Sequence, residues 1–289
     1  MKPFLNWAGG KRWLVANHAD LLRVSHDRLV EPFVGSGAVF FHLEPSAALL
    51  SDANPRLIEA YTAVRDEPER VLDLLKVHRR KHSTEYYYHV RDQRFRTPAT
   101  RAAQLIYLNR TCFNGLYRVN LQGRFNVPKG SKDAVIFPDD DFVAWSQALS
   151  GSELRACDFQ QTIDDAVEGD LLYADPPYTV KHNMNNFVKY NEHIFSWSDQ
   201  VRLRDALVAA SRRGVAVVVS NADHPSIREL YGDGSWHLHP VSRHSRLAAS
   251  SDHRKRTTEL LILNGGAATQ GQPHAQYDEA DVGAARRPG

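Results

Sequence analysis

The sequence predicts an α/β fold: an open, mainly parallel sheet of Rossmann-like kind, interrupted by an inserted segment of helices and a β-hairpin. Three observations carry that expectation. Short apolar runs, clearest at residues 171–174 and 215–219, stop at polar or acidic residues, as buried parallel strands do when they deliver their ends into a crevice. A Gly35-x-Gly37 turn follows the strand pattern Arg28-Leu29-Val30-Glu31, the arrangement of a first βα turn. From residue 67 to 108 the pattern becomes helical and strongly charged, with no strand of the sheet evident, and residues 117–127 read as a hairpin. The expected division is a first sheet-forming part over 1–62, an insertion over 63–140, a second sheet-forming part over 141–264, and a disordered tail over 265–289, where Gly, Ala, Gln and Pro dominate.

Composition narrows the function classes without choosing among them. A chain of 289 residues can bury a sizeable core, and a formal net charge of +2 is too mild to identify a polyanionic partner by itself. Cys112 and Cys157 are the only cysteines, which excludes a disulfide framework and a cysteine zinc site and fits a reducing cytoplasm. His237-x-His239 lacks a third ligand, so no metal is expected. The start, Met1-Lys2-Pro3-Phe4-Leu5-Asn6-Trp7, has no apolar signal core and no run reaches spanning length, so a soluble chain with no membrane partner is expected.

Taken in order, Asn6-Trp7-Ala8-Gly9-Gly10-Lys11-Arg12 precedes a helical pattern over 13–22. Glycines let a backbone approach a ligand, and Lys11 at a helix start can face an anion; a plain turn explains the run equally well. The first strand ends at Glu31 and passes into Pro32-Phe33-Val34-Gly35-Ser36-Gly37, with a helix from about residue 38. No Gly-Lys-Ser/Thr follows, and Phe40 replaces the third glycine of the dinucleotide fingerprint. A carboxylate at this strand end disfavours a pyrophosphate and suits a cofactor with a cationic group. The second strand, 47–50, ends at Ser51-Asp52-Ala53-Asn54-Pro55. An acidic residue there typically accepts from ribose hydroxyls, so Asp52 points to a nucleoside, and it also suits the N-cap of a helix over 55–64.

Leu72, Leu75, Tyr86, Tyr87 and Leu105 are core candidates of the helical insertion. Beyond it, Gln122-Gly123 would turn a hairpin between 117–120 and 124–127. From Arg110 to Lys132 every ionisable residue except Cys112 and Tyr117 is Arg or Lys, interleaved with Asn, Gln and aromatics. That describes a surface for phosphates and base edges, although a solvated hairpin remains an alternative. A helix over 142–149 and a strand over 153–156 lead to Cys157-Asp158-Phe159, an acceptor and a ring that could hold an adenine.

The strand over 171–174 ends at Asp175-Pro176-Pro177-Tyr178. Two prolines fix φ and remove backbone donors, leaving Asp175 and the Pro176 carbonyl as rigid acceptors beside a ring. Such a site suits a flat base bearing an amino group; a proline-rich turn is the plainer reading. Residues 179–197 have the polar composition of a loop over the site. A helix over 198–211 with Ser198 as cap, a buried strand over 215–219 and a helix over 225–231 follow. The cationic run Arg243, His244, Arg246, His253, Arg254, Lys255, Arg256 reads as a loop before a last strand over 259–263.

With these motifs assembled, the chain resembles the Dam-type, class α, DNA adenine-N6 methyltransferases over residues 1–264. Matching runs, in the family's order, are Asn6-Trp7-Ala8-Gly9-Gly10-Lys11, Glu31-Pro32-Phe33-Val34-Gly35-Ser36-Gly37, Ser51-Asp52-Ala53-Asn54, Tyr107-Leu108-Asn109-Arg110, Asn114-Gly115-Leu116-Tyr117-Arg118-Val119-Asn120, Phe125-Asn126-Val127-Pro128, Asp175-Pro176-Pro177-Tyr178 and Ser220-Asn221-Ala222-Asp223. The resemblance implies a Rossmann-like methyltransferase sheet with an inserted helical and β-hairpin target-recognition domain. It implies S-adenosylmethionine as cofactor, held by Trp7, Lys11, Phe33, Asp52, Asp158, Phe159 and Asp175, which Glu31, Gly35 and Gly37 of the first turn would join. Asp175, Pro176, Pro177 and Tyr178 would be catalytic, acting on an adenine flipped out of double-stranded DNA, with Tyr178 stacked on the base. DNA contacts would fall to Arg110, Asn114, Arg118, Asn120, Gln122, Arg124, Asn126 and Lys129, with Arg254 and Arg256 as a second set.

The hairpin departs from GATC-specific members, whose Leu-Arg-Gly-Glu-Phe has Arg where Gln122 stands and Glu where Arg124 stands. Arg prefers guanine edges and Gln adenine, so the resemblance carries the reaction type and not the recognised sequence. A monomer is expected, with a cognate restriction nuclease as a possible functional partner. Cytosine-N4 methylation and an idle DNA-binding module that keeps the fold are the alternatives, because the tetrapeptide is shared beyond adenine methylases.

Overall fold

Seven strands form one sheet in the computed structural model, which describes residues 1–120, 122–181, 195–243 and 257–268. Helix α1 (Arg12–Asn17) is followed by a 3-10 turn (Ala19–Leu22), β1 (Arg28–Glu31), α2 (Phe40–Leu43), β2 (Ala48–Asp52) and α3 (Pro55–Asp66). Three further helices come next: α4 (Pro68–Lys81), α5 (Thr84–Asp92) and α6 (Pro98–Thr111). The chain then adds α7 (Phe142–Leu149), β3 (Ser152–Ala156), α8 (Phe159–Asp164), β4 (Asp170–Ala174) and α9 (Trp197–Arg212). It closes with β5 (Ala216–Ala222), α10 (Pro225–Leu230), β6 (Trp236–Arg243), β7 (Thr257–Asn264) and a single turn, α11 (Gly265–Ala268).

The strand order is β3-β2-β1-β4-β5-β7-β6, with β1 to β5 parallel and β7 antiparallel to both its neighbours. Because β1 has β2 on one side and β4 on the other, the connections diverge there, and the crevice beyond the carboxyl ends of β1 and β4 is the place where open α/β sheets take ligands. Both faces are covered. Leu29, Leu171 and Tyr173 point into a core shared with α3 to α7, whereas Val30, Leu172 and Ala174 point into a second core with α8 and α9. Period-two alternation between two buried faces is why these strands read as continuous apolar runs.

Several local expectations change. β6 was absent from the sequence reading: Trp236-His237-Leu238-His239-Pro240 mixes exposed histidines with a proline, which only an edge strand tolerates, and β6 is the edge. The cap of α9 is Ser196, not Ser198; its hydroxyl accepts from Asp199 N while the Asp199 carboxylate accepts from Ser196 N, a capping box. Gly265–Ala268 is a helical turn pinned by Asn264, whose Oδ1 accepts from Ala267 N, rather than the start of a disordered tail. Most of the expected covering loop (182–194), residues 244–256 with Arg254 and Arg256, and the tail from 269 lie outside the described residues. Among the described residues, no helix is long and apolar enough to cross a membrane.

Candidate active site

Beyond β1, β2 and β4 lies a cavity of about 660 Å³, within the range that small-molecule sites occupy. It gathers residues far apart in sequence: Trp7, Lys11, Glu31, Phe33, Gly35, Asp52, Asp158, Phe159 and the whole Asp175-Pro176-Pro177-Tyr178 run. Gly37 is not on its wall. It sits behind, at φ 66°, where a Cβ would come within 2.8 Å of the Tyr61 hydroxyl, so its part is to let the turn close on the core. At Gly35 a Cβ would meet the Trp7 ring at 2.9 Å.

On one side of the cavity the groups are already paired. Asp175 Oδ1 is 2.8 Å from Lys11 Nζ, an ammonium only 3 % exposed that also donates to the Gly9 carbonyl. The anion that Lys11 faces at the start of α1 is therefore this chain's own carboxylate. Burial raises the Asp175 pKa to about 6, against the pull of Lys11. Tyr178 is held by its hydroxyl, which donates to Glu259 Oε2 at 2.6 Å and lies 2.9 Å from Ser220 Oγ, and Lys11 Nζ lies 4.8 Å from its ring centre. The tetrapeptide is braced from below: Gln200 Nε2 donates to the Pro177 carbonyl, and Asn221 Nδ2 donates to Gln200 Oε1.

The other side holds carboxylates whose acceptor capacity is open. Glu31, at the end of β1, is 2 % exposed, and its Oε1 has no hydrogen-bond partner among the described residues. Desolvation pushes its pKa up to about 8, with nearby Asp175 adding to the rise. Asp52 accepts from Asn54 N and Gly35 N, and burial raises its pKa too. The cap of α3 is Asn54, whose side chain accepts from Arg56 N, so Asp52 remains directed at the cavity. At the mouth, Arg202 makes a two-pronged pair with Asp158 at 2.7 and 2.9 Å and lies 4.1 Å over the Phe159 ring. That pairing keeps Asp158 ionised below the usual range. Phe159 stacks on Phe33 at 5.3 Å, and Phe195 meets Phe33 edge-on.

The hairpin forms a short antiparallel contact, Val119 opposite Phe125, with Asn120 N donating to Arg124 O and Asn126 N to Arg118 O. Asn120 Oδ1 accepts from Gln122 N and Arg124 N, so this side chain builds the turn, while Gln122 and Arg124 are exposed at its tip. Arg118 donates to Asn126, and Lys129 is 2.7 Å from Asp133. Asn114 is exposed, at φ 55°. Tyr117, at the hairpin's base, stacks on Trp7 at 5.2 Å, which joins the hairpin to the cavity wall.

Arg110 does not belong to that surface. It is 1 % exposed, paired with Asp140, and donates to the Phe4 and Val135 carbonyls. A guanidinium so enclosed has no donor left for a phosphate, and its role is to tie the N-terminal segment to α6. Sequence reasoning also missed Glu259, Gln200 and Arg202. A signal existed for Glu259, because a carboxylate heading the apolar run Leu260-Leu261-Ile262-Leu263 has to be paired when buried. Among the described residues no group of three His, Cys, Asp or Glu is placed to hold a metal.

Comparison with known proteins identifies the family. The family described as D12 class N6 adenine-specific DNA methyltransferase matches residues 7–245. The Type II methyltransferase M1.LlaDCHI of Lactococcus lactis subsp. cremoris is 36 % identical over 275 residues, covering 92 % of this chain and 96 % of that protein. The DNA adenine methylase of Escherichia coli K12 is 32 % identical over 267 residues, 91 % of this chain and 95 % of its own length. The DNA N-6-adenine-methyltransferase of Escherichia phage P1 is 35 % identical over 264 residues, 90 % of this chain but 35 % of that longer protein. A family match over residues 7–245, with relatives 32 to 36 % identical over nine-tenths of the chain, shows that the chain belongs to the D12 class of N6 adenine-specific DNA methyltransferases.

Proposed function

We propose that this chain binds S-adenosylmethionine in the cavity beside Glu31 and Asp52 and methylates the N6 amino group of an adenine flipped out of double-stranded DNA, with Asp175 as the central acceptor. The observation that carries this reading is the position of Asp175: a carboxylate 18 % exposed on a proline-fixed strand end, sharing one cavity with Asp52 and with Glu31, whose Oε1 has no donor among the described residues.

The fit to the cofactor rests on the donor set. Glu31 Oε1, buried without a donor among the described residues, suits an ammonium; Asp52 suits ribose hydroxyls; the half-buried Phe33, backed by Phe159, offers a face for a purine, with Asp158 at the edge. Bound there, S-adenosylmethionine supplies an electrophilic methyl on its sulfonium. The chain's own groups do the rest. An exocyclic amino nitrogen is a poor nucleophile because its lone pair is delocalised into the purine ring. Asp175 and the Pro176 carbonyl, accepting its two N–H bonds, would localise that lone pair. The backbone that carries both is set before the base arrives, by the two prolines and by Gln200 bracing the Pro177 carbonyl, so the acceptors need not be assembled on reaction. The half-buried Tyr178 ring would stack on the base.

Residues 63–140 are read as the target-recognition part, with Gln122 and Arg124 at the hairpin tip choosing the sequence and Arg118, Asn114, Asn126 and Lys129 lying along the backbone. Incubating the chain with methyl-labelled cofactor and DNA of mixed sequence should yield labelled N6-methyladenine on nucleoside analysis. Labelled N4-methylcytosine, or no transfer in any context, refutes the reading.

A further inference from the structure

Glu259 stands at the head of β7, opposite Ala222 of β5, and is 5 % exposed. Among the described residues β7 is the strand that runs against the parallel set, and Glu259 arrives at the site beside groups from three other segments. Its Oε2 accepts from the Tyr178 hydroxyl at 2.6 Å and lies 3.7 Å from Lys11 Nζ. The same ammonium is 2.8 Å from Asp175 Oδ1. A buried carboxylate, Glu259, and a partly exposed one, Asp175, therefore share one buried cation.

This arrangement bears on the reaction. An ammonium at hydrogen-bond distance competes with an incoming amino group for the Asp175 carboxylate. Lys11 cannot simply withdraw, because at 3 % exposure an unpaired ammonium would be left without solvent or counter-charge. A second carboxylate within reach removes that obstacle, and the Gly9 carbonyl, which Lys11 already donates to at 2.8 Å, holds the cation's other side. Because the second carboxylate also fixes the Tyr178 hydroxyl, the position of the cation and the orientation of the ring depend on one group.

We propose that Glu259 is a positioning residue for methyl transfer: it serves as the second counter-ion that lets Asp175 release Lys11 to accept the target amino group, and it orients the Tyr178 ring. The role rests on the reading of Asp175 as the amino-group acceptor. The groups facing Asp175 are Lys11 from α1, Glu259 from β7, Glu31 from β1, and the phenols of Tyr173 and Tyr178 on its own segment. Glu259 is a negative charge among them and holds the Asp175 pKa up, so its neutralisation has a directional signature.

The test is steady-state transfer of labelled methyl to DNA by the full chain, its Glu259→Gln variant and its Tyr178→Phe variant, over a range of pH, with melting temperature and cofactor affinity measured alongside. Glu259→Gln is expected to lower kcat about 10- to 100-fold while KM for DNA and cofactor affinity stay within about threefold, since an orienting interaction felt at the reacting centre is removed. Its acidic limb of kcat should move to lower pH. Tyr178→Phe, which keeps the charge of Glu259 and loses only the hydroxyl, should lower kcat by about fivefold with the limb in place. A Glu259→Gln variant with unchanged kcat, or with kcat reduced equally at every pH, overturns the proposal. If Glu259→Gln does not fold, Tyr178→Phe decides, and wild-type kcat there overturns it. Absence of transfer by the unaltered chain instead fails the proposed function, and the role of Glu259 with it.

Discussion

Asp175 and Glu31 end neighbouring parallel strands of one sheet, open into one cavity and are both pushed upward by burial, to about 6 and about 8. Their surroundings differ in exposure, 18 % for the Asp175 side chain against 2 % for Glu31, and above all in counter-charge. Asp175 has a cation supplied by the chain, Lys11 at 2.8 Å, whereas Glu31 Oε1 has no donor among the described residues. A carboxylate with a built-in counter-charge is set before any ligand enters, and its geometry can be spent on orienting a reactant. A carboxylate without one is left to a proton or to the ligand's own cation. On the proposed function, the first is a group for chemistry and the second a group for binding.

Removing the paired member should have the larger effect. Asp175→Ala is expected to reduce methyl transfer by about a thousandfold or more while keeping most of the affinity for DNA, because preorganised acceptors at a reacting centre carry effects of this order and the cationic hairpin lies elsewhere. Transfer kinetics and a DNA-binding titration on the same preparation check it. Parallel loss of both would break the division between chemistry and binding. In the unaltered enzyme the acceptor is the ionised carboxylate, so activity should fall as pH drops through about 6.

Glu31 offers a thermodynamic test of the unpaired member. Its ordinary pKa is 4.5 and its folded value about 8, so between these the folded chain holds a proton that the unfolded chain has released. Its contribution to stability is full below about 4.5 and is lost as pH rises through about 8. Glu31→Gln, which cannot ionise, should therefore melt higher than the parent at pH 8 to 9 in the absence of cofactor, while binding S-adenosylmethionine about 10- to 100-fold more weakly, the range of a charge-assisted hydrogen bond. Calorimetry at two pH values and a cofactor titration measure the two halves. A variant less stable at high pH would mean that Glu31 already has a counter-charge.

The contrast between the two carboxylates also shows how much the sequence could reveal. The strand ends at Glu31, Asp52 and Asp175 were legible because each terminates an apolar run or follows one, Asp158 because it follows a short strand pattern ahead of an aromatic, and the sheet brings all four to one cavity. Partners were not legible, since pairing is made by the third dimension: Glu259 meets Lys11 from the opposite end of the chain, and Arg202 reaches Asp158 from α9. Local composition misled at Arg110. It sits at the edge of a run of cations, yet helical periodicity turns it inward to Asp140 and the Phe4 carbonyl, while Arg124 a short way on remains exposed. Edge strand β6 was missed because Pro240 and two histidines hide the apolar alternation that a buried strand would show.

Asp158 lies between the two extremes and should show the smallest effect. Its cation is also built in, but both members of the Arg202 pair are more than two-fifths exposed, so water and salt already screen them. Such a pair contributes about 1 kcal/mol or less to stability, and Arg202→Ala should leave the melting temperature nearly unchanged. What it would lose is position: Arg202 holds both oxygens of Asp158 and covers the Phe159 ring, so the acceptor proposed for the purine and the ring that backs Phe33 are aligned by one guanidinium. Cofactor affinity should fall by about three- to fivefold at low salt, and the gap between variant and parent should narrow as ionic strength rises, because screening weakens the pair only in the parent. A loss that persists undiminished in high salt would locate the effect in the stacking of Arg202 on Phe159, which salt barely touches. A loss as large as that of Glu31→Gln would show that an exposed counter-charge orients as firmly as a buried one, and the distinction drawn from Asp175 and Glu31 would then rest on burial alone.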